Sequence, residues 1–122
     1  MNITARAHDF ELSDAIAGFA RDQLHAALNR FSDGIIFVDV YMKDTNGPRG
    51  GADKQVLVRV RLRNRQLIAT ETTDEDLYAA IRRGAKRTNR VVRRTLRKSS
   101  RIEKRRLRNL RESNSFSAVP DS

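Results

Sequence analysis

The feature that most restricts the fold is a long segment, residues 77–111, in which apolar and basic side chains recur at helical spacing. At about 100° per residue, small and apolar side chains from Leu77 to Leu96 cluster around Ile81, and the basic side chains fall on the opposite side. The pattern predicts a long amphipathic helix whose apolar stripe must be buried against a second layer. Ten basic residues and no acidic one lie between Leu77 and Ile102: Arg82, Arg83, Lys86, Arg87, Arg90, Arg93, Arg94, Arg97, Lys98 and Arg101.

The chain ahead of this helix supplies the second layer, because its apolar period switches between 2 and 3.6. The clearest alternation covers residues 55–63, where valine and leucine alternate with arginine, as in a strand with one buried face. A helical stripe over residues 12–31, with Ser13 placed to cap it, predicts the first helix. The other predictions are strands at 2–7, 35–42 and 67–71, a loop at Asn46–Gly51, a tight turn at Asn64-Arg65, and Thr73 or Asp74 as the cap of the second helix.

This order, β-α-β-β-β-α, predicts a two-layer α+β domain in which both helices cover one face of a four-stranded sheet. A length of 122 residues suits one such domain. We expect the domain to occupy residues 1–98, a basic helical extension or arm to follow over 99–112, and a disordered tail to cover 113–122. The second helix either continues through Ser99-Ser100 or breaks there, and the sequence leaves both open.

The positive charge of the chain is concentrated in one place. Residues 82–111 hold 15 of the 25 lysines and arginines and a single acid, Glu103. Like charges at i,i+4 cost about 0.2–0.5 kcal/mol per pair, so an ordinary solvated helix contains both acidic and basic residues. The near absence of acidic residues from this helix therefore predicts an anionic partner that relieves the repulsion. Because 12 of the 15 are arginine, whose planar fork grips phosphate oxygens, nucleic acid is favoured. A membrane surface is disfavoured, since the apolar stripe lacks Trp and Phe.

Enzymatic and metal chemistry each lack a component. The chain has no cysteine, and its two histidines, His8 and His25, have no co-ligands at metal-binding spacing. The glycines of the 47–51 segment lack the Gly-Lys-Ser/Thr step of a phosphate-binding loop. The acidic run 74–76 suits the positive end of a helix dipole, and the strand 55–63 carries arginine where an RNA-recognition motif needs stacking rings. We therefore expect no enzyme, no cofactor and no metal, and, without a signal or membrane segment, a cytoplasmic location.

Four short stretches carry a resemblance. They are Met-Asn-Ile-Thr at 1–4, Glu-Leu-Ser-Asp-Ala-Ile at 11–16, Asp-Leu-Tyr-Ala-Ala-Ile at 76–81 and Arg-Arg-Thr-Leu-Arg-Lys at 93–98. Over residues 1–98 the chain resembles the ribosome hibernation-promoting factor and ribosome-associated inhibitor family, also called sigma-54 modulation proteins. The resemblance implies a β-α-β-β-β-α domain that binds the small ribosomal subunit near the decoding site. There it would occupy the space of messenger and transfer RNA and hold the ribosome inactive under stress.

The expected partners are therefore the small ribosomal subunit and its rRNA, bound through the ten basic residues named above, with no small-molecule substrate and no membrane. Long members of the family carry a C-terminal dimerisation domain, which we expect this chain to lack. Two alternatives stay open from the residues alone. One is a general RNA- or DNA-binding protein without ribosome preference, and the other is an interaction module for an acidic protein.

Overall fold

A computed structural model describes residues 1–8, 10–44 and 54–118, with side chains as far as residue 112. The chain divides into two compact units, Met1–Val92 and Arg93–Ser122, and the last helix belongs to both. In chain order the elements are β1 (Asn2–His8), α1 (Asp14–Leu28), a 3₁₀ helix (Asn29–Gly34), β2 (Ile35–Asp44), β3 (Lys54–Leu62), β4 (Leu67–Asp74) and α2 (Leu77–Ala118).

The strands form a four-stranded mixed sheet in the order β1-β2-β3-β4. The β1 strand pairs in parallel with β2 across the crossover made by α1, whereas β2 with β3 and β3 with β4 are antiparallel. The predicted α+β class and the order β-α-β-β-β-α are confirmed. The predicted loop at Asn46–Gly51 lies outside the described residues.

One face of the sheet is buried under the helices. Alternate strand residues, among them Val40, Val58 and Thr70, face one another across the sheet and are buried. Within the unit Met1–Val92, the amide Nδ2 of Asn89 on α2 donates to the carbonyl oxygen of Ala27 on α1 at 2.5 Å. That hydrogen bond joins the two helices over the sheet.

The helix ends show which capping predictions were right. The Ser13 hydroxyl accepts a hydrogen bond from the Ile16 backbone N–H at 3.2 Å, which confirms the predicted cap of α1. The prediction of Thr73 or Asp74 as the cap of α2 was wrong, because β4 continues through both residues. Asp76 caps α2 instead: its carboxylate accepts from the Tyr78 N–H at 3.0 Å.

The α2 helix is continuous at Ser99 and Ser100 and its backbone is helical as far as Ala118. Of the two alternatives that the sequence leaves open, the structure has the continuous helix. The domain limits at residues 98 and 112 and the disorder of residues 113–122 stay predictions, and residues 119–122 lie outside the described part of the chain.

The opposite face of the sheet carries a buried carboxylate. Asp39 on β2 is 6% exposed and accepts hydrogen bonds at 2.6 Å from Arg6 on β1 and from Arg59 on β3. Burial alone would raise the pKa of Asp39, but the hydrogen bonds and charges of the two guanidinium groups outweigh it, and the pKa is lowered. The carboxylate therefore joins three neighbouring strands as an anion.

Replacing Asp39 is expected to change both the stability and its pH dependence. Because the folded-state pKa lies below the ordinary value of 3.8, the stabilisation is complete above the ordinary value and is lost as the pH falls through the lowered one. Asp39→Asn should reduce the free energy of unfolding at pH 7 by about 1–2 kcal/mol, since a charged hydrogen-bond acceptor is lost. Urea unfolding of both proteins should show this gap closing as the pH falls from about 4 towards 2.

The matched control is Asp22→Asn on the exposed side of α1, which should leave the stability within about 0.5 kcal/mol at each pH. A gap between the wild type and Asp39→Asn that stays constant down to the lowest pH would contradict this electrostatic account.

Candidate nucleic-acid interface

Within the first unit, α2 lies on the sheet through a stripe of small and apolar side chains. Apart from one adjacent pair at 80 and 81, the stripe residues recur every three to four positions and therefore share one side of the helix. They are buried to 3% exposure or less: Ala80, Ile81, Ala85, Thr88 and Val92. The sequence prediction of the packed side is confirmed for this part of the helix.

Gly84 and Thr88 set how closely α2 approaches β4. Gly84 is buried, and a Cβ at this position would lie 3.6 Å from the Thr72 hydroxyl oxygen. The Thr88 hydroxyl lies 2.7 Å from the Gly84 carbonyl oxygen and 2.7 Å from the Thr70 hydroxyl, so one short network holds helix and strand together. Small residues at this contact let the helix backbone come close to the sheet.

Because this side of the helix is buried, its basic residues lie on the remaining, solvent-exposed surface of α2. All five basic residues that the sequence selects in this unit are exposed, and no acidic residue lies on α2 between Leu77 and Val92. The five are Arg82, Arg83, Lys86, Arg87 and Arg90.

Two of them lie along the outer edge of β4. Arg83 donates from Nη1 to the Thr73 carbonyl oxygen at 3.2 Å and to the Asp74 carboxylate at 2.9 Å. Arg87 donates from Nη1 to the Glu71 carbonyl oxygen at 3.0 Å. An edge strand otherwise presents such carbonyl groups unpaired, and cationic side chains there discourage edge-to-edge association.

The carboxylate beside Arg83 is held ionised by its surroundings. The Asp76 backbone N–H donates to Asp74 at 3.0 Å, and this hydrogen bond, followed by that from Arg83, lowers the pKa of Asp74. Asp74 therefore fixes the position of Arg83 and offsets part of its charge.

Arg82 lies on the other side of the exposed surface, beside α1. Its guanidinium carbon is 6.0 Å from the centre of the Phe19 ring, which packs edge-to-face on Tyr78 with ring centres 4.8 Å apart. This distance is the outer limit of a cation–π contact. The rings therefore lie beside the arginine and leave its charge available to a ligand.

Lys86 and Arg90 are the freest of the five, since neither forms a hydrogen bond, an ion pair or a cation–π contact with any residue that the structure describes. With Arg83 and Arg87 they line a cleft of about 320 Å³ between α2 and the edge of β4. Thr72 completes the lining. Sequence reasoning missed Thr72 because it ended the strand at residue 71; the Thr-X-Thr alternation over 70–72 is the signal that could have extended it.

The second unit holds the other five basic residues that the sequence selects. They are exposed on the helix, and none forms an ion pair with a described residue. They are Arg93, Arg94, Arg97, Lys98 and Arg101. Further basic residues that the prediction did not include, such as Arg105 and Arg108, are exposed as well.

Other chemistry finds little support in the described residues. Across residues 1–8, 10–44 and 54–112, no group of three or more His, Asp or Glu side chains is placed to hold a metal ion. Within the same described part, none of the helices combines the length and the apolar character needed to cross a membrane.

Comparisons with known proteins show what the chain as a whole is similar to. Residues 3–100 match the model of a family described as Sigma 54 modulation protein / S30EA ribosomal protein. Among solved structures, the Thermus thermophilus Protein Y N-terminal domain is similar with 31% identity and a TM-score of 0.65, over 78% of this chain and 99% of that one. A comparison with curated proteins gives no match.

A ribosomal subunit interface protein from Coxiella burnetii is also similar in structure, with a TM-score of 0.66 over 78% of this chain and 97% of that one. At 16% identity, this likeness concerns the fold alone.

The contact at Gly84 makes a stability prediction. Gly84→Ala should raise the free energy of unfolding by about 0.5–1 kcal/mol, because alanine loses less backbone entropy in a helix. The added Cβ would stand at ordinary van der Waals distance, 3.6 Å, from Thr72 and Val56. Denaturant unfolding measures the change.

Gly18→Ala on α1 is the matched control, because nothing lies within 4 Å of a Cβ there and only helix propensity changes. Gly84→Leu should instead destabilise by about 1–3 kcal/mol through overpacking. If Gly84→Ala is destabilising while Gly18→Ala is stabilising, α2 lies closer to the sheet than described here.

Proposed function

Because the chain belongs to the Sigma 54 modulation protein / S30EA ribosomal protein family, we propose that it is a ribosome-associated hibernation factor of the cytoplasm. It binds the small ribosomal subunit near the decoding site through α2, and its folded body excludes messenger and transfer RNA. It acts by occupying a site and catalyses no reaction.

The observation that carries this proposal is the unneutralised positive charge of α2. In the first unit the apolar stripe is used up in packing on the sheet, so the basic side chains are left facing solvent with no carboxylate on the helix between Leu77 and Val92. Each like-charge pair at i,i+4 costs about 0.2–0.5 kcal/mol in the free protein. A chain of phosphates alongside would remove that repulsion and release counterions, which is a driving force for binding.

The arginines of this surface suit RNA as the partner. Among the ten residues proposed to bind, eight are arginine, whose planar fork donates two parallel hydrogen bonds to phosphate oxygens. The central strand carries arginine where an RNA-recognition motif has aromatic rings that stack on bases. Recognition would therefore depend on the shape and charge of the rRNA more than on its bases.

Each unit of the chain contributes its own cations to this proposal. In the first unit, Lys86 and Arg90 have no partner among the described residues and can bind phosphate without breaking an existing contact. In the second unit, the basic residues from Arg93 to Arg101 are exposed on a continuous helix. The exclusion of messenger and transfer RNA comes from the unit Met1–Val92, which contains the sheet, α1 and the part of α2 that packs on the sheet.

Charge reversal tests the role of these residues. Lys86→Glu with Arg90→Glu, and separately Arg93→Glu with Arg97→Glu, should each weaken co-sedimentation with small ribosomal subunits, and the four changes together should abolish it. If the two residues of a pair each bind one phosphate, reversing that pair should also make the slope of log binding constant against log salt concentration shallower by about 1.4–1.8. The circular dichroism should be unchanged, because glutamate is a good helix former.

The matched control reverses two exposed basic residues elsewhere, Arg21→Glu with Arg30→Glu, and keeps the net charge change the same. It should bind with the wild-type salt dependence. Equal losses in the control and in the α2 pairs would mean that net charge, and not this surface, governs binding.

The position on the subunit is tested by competition. Subunits loaded with messenger RNA and transfer RNA should bind the protein at least about tenfold more weakly than empty subunits, because the proposed sites overlap. Wild-type affinity for loaded subunits would place the protein away from the decoding site.

Excess duplex DNA or bulk transfer RNA as a competitor distinguishes a general nucleic-acid binder, for which ribosome binding would fall in proportion to added phosphate. Survival of the complex after nuclease treatment would point to an acidic protein partner.

A further inference from the structure

Thr72 and four basic side chains line the cleft between α2 and the outer edge of β4. We infer that this cleft is a discrete binding site for a single backbone phosphate of RNA, with the Thr72 hydroxyl as a donor at its floor. The inference rests on the proposed function and deepens it, since it names one group on the chain that takes one phosphate while the rest of α2 contributes charge.

The first observation is the Thr72 hydroxyl itself. Thr72 is 6% exposed, and its Oγ1 atom has no hydrogen-bond partner in the structure. Its neighbour Thr70, on the same face of the same strand, is also 6% exposed but bonds to Thr88 at 2.7 Å. A buried hydroxyl without a partner is destabilising, and such groups in native proteins call for a missing partner such as an ion or water. The cleft that Thr72 lines provides the room for one.

The second observation is that two of the cations in the cleft are already fixed in place. Arg83 and Arg87 each use Nη1 for bonds to the β4 edge, at the Thr73 and Glu71 carbonyl oxygens, so their remaining N–H groups stay free to donate. Holding a long side chain in place before the ligand arrives reduces the entropy that binding must overcome. Strand carbonyls therefore act as a scaffold for the phosphate donors.

The third observation is the charge balance. Lys86 and Arg90 add two cations that have no partner among the described residues, and none of the described lining residues carries a carboxylate. Asp74 pairs with Arg83 from outside the lining and offsets one of the four charges. The excess that remains exceeds the single charge of a phosphodiester, so a phosphate can be fully neutralised here.

Size and chemistry favour a phosphate within a polynucleotide. A volume of about 320 Å³ corresponds to about ten waters of liquid, which admits a phosphate with part of its flanking ribose. Arginine forks and a hydroxyl can together donate to the separate oxygens of a tetrahedral phosphate group. The cleft also lies along the basic side of α2, where the proposed RNA would run.

The test follows the backbone amides of Thr72 and Gly84 by NMR in the full chain, during titration with a short single-stranded RNA. Both amide signals should shift and saturate with the RNA. Thr72→Val should lower RNA affinity by at least about tenfold, the effect of losing a hydrogen bond to a charged group. Its melting temperature should be unchanged or higher, because the variant removes an unsatisfied buried hydroxyl of the same shape.

Thr73→Val is the matched control, one residue along the strand and exposed, and should bind RNA as the wild type does. Lys86→Gln supplies a second variant on the cleft and should weaken the same NMR shifts. Equal RNA affinity for Thr72→Val and Thr73→Val would overturn the site, as would amide signals at Thr72 and Gly84 that do not move.

A parallel titration with inorganic phosphate separates the sources of the anion. Saturation by inorganic phosphate that excess RNA does not displace would overturn the assignment to an RNA phosphate. Co-sedimentation with small subunits separates this proposal from the function beneath it. If subunits bind the wild type and Thr72→Val equally, the cleft site fails and the ribosomal function stands. If subunits bind neither protein but the RNA still shifts Thr72, the cleft site stands and the ribosomal function fails.

Discussion

The close contact between α2 and β4 is the constraint on which the other features depend. It is possible because Gly84 and Ala85 present almost no side chain to the sheet. The buried Thr88 hydroxyl is also fully hydrogen-bonded, to the Thr70 hydroxyl and to the helix backbone. Burying that side of the helix fixes the opposite side toward solvent. The basic residues are consequently held in a defined position by apolar packing, and Asp74, which pairs with Arg83, offsets only one of their charges in the first unit.

The edge of β4 shows how one set of residues can meet a structural and a functional need. Arg83 and Arg87 cover strand carbonyl groups that would otherwise be unpaired, and the same contacts fix their guanidinium groups beside the cleft. On the opposite face of the sheet, the arginines are instead paired with a buried carboxylate. There Asp39 pairs with Arg6 and with Arg59 and offsets one of their two charges, so those arginines stabilise the strands and are less suited to binding an anion.

Much of the fold could be predicted because periodicity reports burial directly. The alternation over 55–63 and the spacing of Ile81, Ala85 and Thr88 identify the buried faces from the sequence, and Ser13 is recognisable as a cap. The end of β4 was not recognisable. The pattern predicted a strand that ends at residue 71 and a helix cap at Thr73 or Asp74. Thr72 nevertheless belongs to the strand, because pairing with β3 satisfies its backbone and the helix covers its side chain.

The sequence by itself determined the order of the elements, the side of α2 that is packed and the concentration of positive charge on that helix, since these follow from local spacing and composition. Only the tertiary structure decided which cations are anchored and which are free, that Asp39 is neutralised by arginines from two other strands, and that Thr72 is buried without a partner. These properties depend on residues far apart in the chain meeting at particular distances, and a linear pattern carries no information about such distances.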